Sequence, residues 1–264
     1  MFKGWEHGKV AATVAGLGYQ GVELAPFTLA ADPTTLLPAN VAAVRRAFES
    51  GGVRVMGLHW LLANTQGLSI TSPDNEVLWR TKERLKALIG LCRDLGGEVV
   101  VFGSPKQRQV EPGQNPEDAF RRAARLFQDL ALEAAAGSIT ICFEPLGPGE
   151  TNFINTMAEG VRLVEAVRHP QFKLHLDVKA MRSAEPRSPA ETILAEGGVH
   201  LHHFHANDPN LLGPGMGTED QAPVGAALKT VGYDRWVSVE TFADGPGPEE
   251  IARQSFATLT RCYP

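Results

Sequence analysis

Apolar positions along this chain come in short runs, each closed by a turn residue or an acid. VRVMGLHW (53–60), EVVVFG (98–103), ITICFE (139–144), FKLHLDV (172–178), VHLHHFH (199–205) and WVSVET (236–241) are nearly continuous. A shorter run, GYQGVEL (18–24), precedes them. Uninterrupted apolar runs bounded by turn signals are the mark of parallel strands covered on both faces. Between them the spacing predicts helices over 7–16, 39–50, 72–95, 115–137, 156–168, a short stretch from 188, 222–231 and 248–260. Their starts carry readable caps. Ser72-Pro73-Asp74 and Asn115-Pro116-Glu117 each offer a cap, a proline and an acid, and Ser188 has an acid three residues on at Glu191. Gly96-Gly97 and Gly137 stop two of the helices.

Regular alternation of strand and helix implies parallel strands joined by right-handed crossovers. The predicted fold is a (β/α)8 TIM barrel spanning 1–264 as a single domain. Eight helices but seven clear strands are visible, so the first strand is short or missing at the N-terminus, with Met1 to Trp5 as the one candidate stub.

Strand ends then supply the chemistry. Glu144, Asp177, His205 and Glu240 each stand at or near the carboxyl end of a different strand, and in a barrel those ends converge on one face. Taken singly, each acid is more simply a helix cap or a surface charge. Four in succession predict a shared site for one divalent ion. Oxygen-rich ligation with one imidazole suits Mn²⁺, Mg²⁺ or Co²⁺ better than Zn²⁺. Side chains alternate along a strand, so His203 shares a face with His205. His203 is expected one layer deeper as a hydrogen-bonded core residue, or as the ligand itself if the register slips by two. His175 is expected as a satisfied core histidine under Asp177. Asp208 or a backbone carbonyl is the candidate to hold the second nitrogen of His205. His59, at the end of its strand, is a candidate substrate contact. The loop 61–72 and the GPGMGTED loop (213–220) are candidate lids.

Composition narrows the classes further. The formal charge is −5 with no basic cluster or tail, which speaks against nucleic acid as a partner. No apolar run reaches the roughly 20 residues of a membrane span, and MFKGWEHGKV lacks the apolar centre of a signal peptide. The three cysteines are widely spaced and read as reduced core residues, so a cytoplasmic location is expected.

GYQGVEL, FEP followed by NFINT, LDVKAM, HFHAND with its His-x-x-Asp spacing, and GYDRWVSVE together resemble the xylose-isomerase-like TIM barrels. Those are sugar and sugar-phosphate isomerases and epimerases, and the ketose 3-epimerases are nearest in site layout. The resemblance covers almost the whole chain. It implies that Glu144, Asp177, His205 and Glu240 bind one divalent metal. It also makes Glu144 and Glu240 a paired acid and base acting beside a sugar carbonyl through an enediolate, and Glu150 a sugar contact. It further implies a small-molecule sugar substrate and a homodimer or homotetramer. Two positions depart from the pattern. Ala180 stands where such epimerases carry a histidine, and Leu211 where they carry an arginine. Lys179 and Asn210 are the candidates to replace those contacts. The alternatives are an inosose-type dehydratase, an endonuclease IV-like AP endonuclease, and a barrel that binds sugar without turnover. The nuclease would need further metal-ligating histidines where this chain has Ala180 and Gly103.

Overall fold

A computed structural model describes residues 1–263. Seven parallel strands run in sequence order through one sheet: β1 (Gly21–Leu24), β2 (Arg54–Leu58), β3 (Val99–Phe102), β4 (Thr140–Phe143), β5 (Phe172–Asp177), β6 (Leu201–Ala206) and β7 (Val237–Val239). Each pairs in parallel with the next. Helices follow the strands, and the expected alternation holds.

The helices form where their ends are capped and one face is apolar. The helix α4 (Pro116–Ala136) starts at Asn115, whose side chain accepts hydrogen bonds from the Glu117 and Asp118 N–H groups. Its buried face, including Phe120, Phe127 and Leu130, packs on the sheet, where Phe127 meets Phe102, Phe143 and Phe172 at 4.8–5.7 Å between ring centroids. The helix α7 (Pro189–Glu196) has the full capping box of Ser188 and Glu191. The helix α3 (Asn75–Asp94) starts two residues later than expected: its cap is Asp74, and Ser72 instead accepts a hydrogen bond from the Asp74 N–H. One helix was not expected at all. The helix α6 (Val178–Ala184) begins directly off β5, with the Asp177 side chain accepting from the Ala180 N–H.

Strands β1 and β7 do not pair with each other. Met1 to Trp5 form a turn rather than a strand, so the eighth position of the barrel is open, as expected. A cavity of about 1570 Å³ lies there, lined by both strand edges and by Met1, Trp5, Trp60 and Phe242. Outside it the ring of helices does close. Tyr19, just after α1 (His7–Leu17), donates to the Ala252 carbonyl of α9 (Pro248–Cys262) at 2.9 Å, and its ring packs on Phe256.

The barrel interior is layered, because side chains two apart on a strand share a face. Met56, Val99, Val101 and Cys142 form an apolar floor. His175 pairs with His203 in the next layer, and Asp177 with His205 above them.

Candidate active site

At the carboxyl ends of the strands, Glu144, His175, Asp177 and His205 each place one ligand-type atom within 4.8 Å of the others, and all four are buried. Glu240 joins at His205, whose Nδ1 lies 3.2 Å from Glu240 Oε2. The four residues expected at strand ends therefore do come together. The carboxylate of Glu144 lies over Gly103, the residue after β3, where an added Cβ would touch one of its oxygens.

Asp177 is fixed from two sides. One oxygen accepts from the Ala180 N–H at 2.8 Å, and the other from the side chain of Asn207, which is itself buried. The backbone carbonyl of Glu144 accepts from Arg108 Nη1 at 2.6 Å. Arg108 is fully buried, and its Nε and Nη2 have no partner.

The histidines are arranged differently from the expectation. His205 Nε2 is held by Glu23 Oε2 at 2.7 Å, not by Asp208. Asp208 is occupied elsewhere, accepting from the Gly215 and Glu219 N–H groups and so folding the glycine-rich loop. His203 does lie one layer down, with Nε2 2.8 Å from the other oxygen of Glu23, but without hydrogen-bond geometry: neither of its ring nitrogens, nor Glu23 Oε1, has a hydrogen-bond partner, so it is not the hydrogen-bonded core residue expected. His175 is buried but not satisfied: neither ring nitrogen has a hydrogen-bond partner, and its Nε2 stands 3.8 Å from Glu144 Oε1. Glu23 was visible in the sequence only as the end of a strand, with no signal that it would reach two histidines.

Around the mouth, His59 Nδ1 lies 3.2 Å from Glu240 Oε1, and the Trp60 indole donates to the same oxygen at 2.6 Å. Trp60 adopts a left-handed backbone conformation (φ 53°). Strain of that kind in a bulky residue persists where surrounding contacts enforce it, and it clusters at functional sites. Its ring stacks on Phe242 at 5.9 Å and tilts against Phe27 at 6.0 Å, giving the mouth an aromatic wall. Lys179 Nζ sits 3.3 Å from both Glu150 oxygens and 4.2 Å from the Phe242 ring centre. Asn210 is turned into its own loop, donating to the Met216 carbonyl and accepting from the Leu212 N–H. Both candidate lids are tied down: Ile70 and Thr71 donate to the Gln107 and Gln109 carbonyls, and the glycine-rich loop hangs on Asp208.

Charge divides the cluster. Burial pushes the Glu144 carboxyl well above its usual range, and the charges of Glu240 and Asp177 add to the effect. Asp177 is pushed up to about 6 by burial and by Glu240. Burial would raise Glu240 too, but the His205 charge and hydrogen bonds from His205 and His59 hold it well below the ordinary range. Glu23 is likewise held low by His203 and His205, against the effect of burial. Buried carboxylates that repel one another beside an imidazole make a donor set that a divalent cation would neutralise, so this buried Glu/Asp/His group fits a metal ion.

The model of the xylose isomerase-like TIM barrels matches residues 11–262. The chain belongs to this family. Among its relatives, the D-psicose 3-epimerase of Agrobacterium fabrum (strain C58 / ATCC 33970) is 34% identical over 251 residues, covering 92% of this chain and 84% of that protein. The L-ribulose 3-epimerase of Methylomonas sp. (strain DH-1) is 27% identical over 235 residues, covering 89% and 78%. The fold agrees with the crystal structure of a D-psicose 3-epimerase in the presence of D-fructose, at a TM-score of 0.85 and 22% identity over 98% of this chain and 94% of that one. Family members of known activity among these relatives are ketose 3-epimerases.

Proposed function

We propose that this chain is a sugar epimerase that inverts the carbon next to the carbonyl of a ketose, with a divalent metal ion bound at the strand ends. Glu144, Asp177, His205 and Glu240 would hold the ion, Mn²⁺, Mg²⁺ or Co²⁺ in preference to Zn²⁺. A bound divalent ion would polarise the sugar carbonyl and stabilise the negative charge that builds up as the neighbouring proton leaves.

The observation that carries this reading is the pair Glu144 and Glu240. They come from β4 and from the end of β7, three strands apart around the barrel, so they approach the cluster from different sides. Two carboxyls placed on different sides of a bound sugar can act as separate base and acid. Glu240 takes the proton from the carbon beside the carbonyl, giving an enediolate. Glu144, reaching in from the other side of the barrel, returns a proton to the same carbon. Return on the opposite face inverts that carbon, whereas a single shared carboxyl would favour return on the original face. Trp60 and His59 orient Glu240 by donating to its Oε1. The aromatic wall of Phe27, Trp60 and Phe242 is apolar cover for the sugar's carbon skeleton, and it sheds water from the reacting end. Lys179 and Glu150 form the polar side of the mouth and would bind sugar hydroxyls. Asn210 and Asp208 serve the loop instead, so neither contributes to this reading of the site.

The test is incubation of the Mn²⁺-loaded chain with D-fructose, D-psicose and L-ribulose in D₂O. Epimer formation with one deuterium fixed at the inverted carbon is the expected result. Failure of all three ketoses to exchange, on protein shown to hold metal, overturns the ketose reading. Dehydrated products would point to the dehydratase alternative.

A further inference from the structure

Glu23 is a buried charged group at the site for which this mechanism has no use. Its side chain is 6% exposed, and it stands on β1, beside the open eighth position of the barrel. The β1–β2 register shifts between Val22 and Glu23. Irregularities of this kind re-aim a side chain, and here the carboxylate turns across the barrel axis to β6. Oε2 meets His205 Nε2 at 2.7 Å and Oε1 stands 2.8 Å from His203 Nε2. The two rings are nearly perpendicular, with centroids 5.2 Å apart.

We infer that Glu23 is the positioning residue of the metal site: it takes the Nε2–H of His205 and so commits Nδ1 of that ring to the carboxylate cluster. The inference rests on the metal-site reading above. An imidazole can present only one nitrogen as a metal ligand while the other carries its proton, and the partner of the protonated nitrogen decides which is which. A carboxylate in that role also raises the basicity of the ligating nitrogen. His205 Nδ1 is the atom facing Glu240, at 3.2 Å, so the direction of the ring already matches the assignment. No other carboxylate competes for Nε2, since Asp208 is engaged by two backbone N–H groups.

Two measurements on the full chain test this. The first is Mn²⁺ affinity by chelator competition for wild type and Glu23→Gln, with the metal-free melting temperature of each as a control for folding. Outer partners of metal-ligating histidines are typically worth about 10–100-fold in affinity, and a loss in that range is expected. A loss under about fivefold overturns the inference while leaving the metal site standing. Wild type that binds no divalent ion overturns the metal-site reading and this inference together. The second measurement needs no variant. With ¹⁵N-histidine and saturating Mg²⁺, the wild-type His205 ring should carry its proton on Nε2. A proton on Nδ1 instead overturns the inference, and that readout is not moved by a purely structural role for Glu23.

Discussion

The two halves of the carboxylate cluster are built from the same residue types and behave in opposite ways. Glu23 and Glu240 flank His205, each on one of its nitrogens, and both are held ionised by it. Glu144 and Asp177 are buried to a similar degree but face each other and Glu240, and both are pushed toward the protonated form. Burial raises all four; what separates them is whether a cationic ring or another carboxylate is the neighbour. In the metal-free chain one His205 therefore divides four acids into two that share its charge and two that do not. A divalent ion held by Glu144, Asp177, Glu240 and a neutral His205 would take over that charge and supply what the other two lack.

The sharpest way to break the comparison is to remove the ionised member proposed as the base. Glu240→Gln keeps the shape and the hydrogen-bond acceptor for Trp60 but cannot accept a proton. Loss of a positioned general base costs about 10²–10⁴-fold, so kcat should fall by that range with the fold intact, as read by the sugar assay and circular dichroism. A rate within about threefold of wild type would remove Glu240 from the chemistry.

The membership of the cluster is legible in the sequence, and its division is not. Glu144, Asp177, His205 and Glu240 could be placed because each ends an apolar run, and parallel strand ends must converge. Glu23 lies one residue before the end of such a run, but its importance depends on a register shift and on β1 standing across the axis from β6, and neither leaves a local signal. Asp208 shows the reverse failure. Three residues after His205 it looks like a natural partner, yet the chain turns there and the carboxylate folds its own loop. His175 was expected to be satisfied, and its unpartnered nitrogens emerge only from the layering of β5 against β6. The helix α6 was missed because it starts on Asp177 itself, with no turn residue between strand and helix. The aromatic wall is assembled from three separate loops, whose meeting no pattern along the chain reports.

A smaller effect follows from the unpaired half alone. In the metal-free chain Asp177 is raised from 3.8 to about 6, and Glu144 is raised as well. Between those values the native state binds protons that the unfolded chain has already lost, so stability falls as pH rises. His205, raised by Glu23 and Glu240 against the effect of burial, contributes in the same direction over its own range. Glu23 and Glu240 are ionised in both states above pH 5 and stay silent there. His175 and His202, lowered by burial, act in the opposite sense up to about their ordinary range, so the fall is read above it: the melting temperature of chelator-treated protein should drop by roughly 2–4 °C between pH 7 and pH 8, and saturating Mn²⁺ should flatten the drop. A melting temperature of the metal-free chain that does not fall over that interval would mean that Glu144 and His205 are not raised.

The smallest effects belong to the mouth, where the same contrast is repeated at partial exposure. Trp60 gives Glu240 a neutral donor at 2.6 Å, and Lys179 gives Glu150 a cation at 3.3 Å. Trp60→Phe keeps the stacking on Phe242 but deletes the donor. A hydrogen bond to a charged group contributes about 1.5–3 kcal/mol, so kcat should fall by about tenfold or more, with KM little changed, if the indole orients the base. Lys179→Met removes a charge from a pair in which Glu150 is 36% exposed, and exposed pairs contribute little. Its expected result is a rise of a few fold in KM for the ketose at unchanged kcat, if Lys179 binds hydroxyls as proposed rather than acting at the reacting carbon. Steady-state kinetics on the two variants separate the roles: a kcat defect in Lys179→Met, or a pure KM defect in Trp60→Phe, would exchange the orienting and binding sides of the mouth.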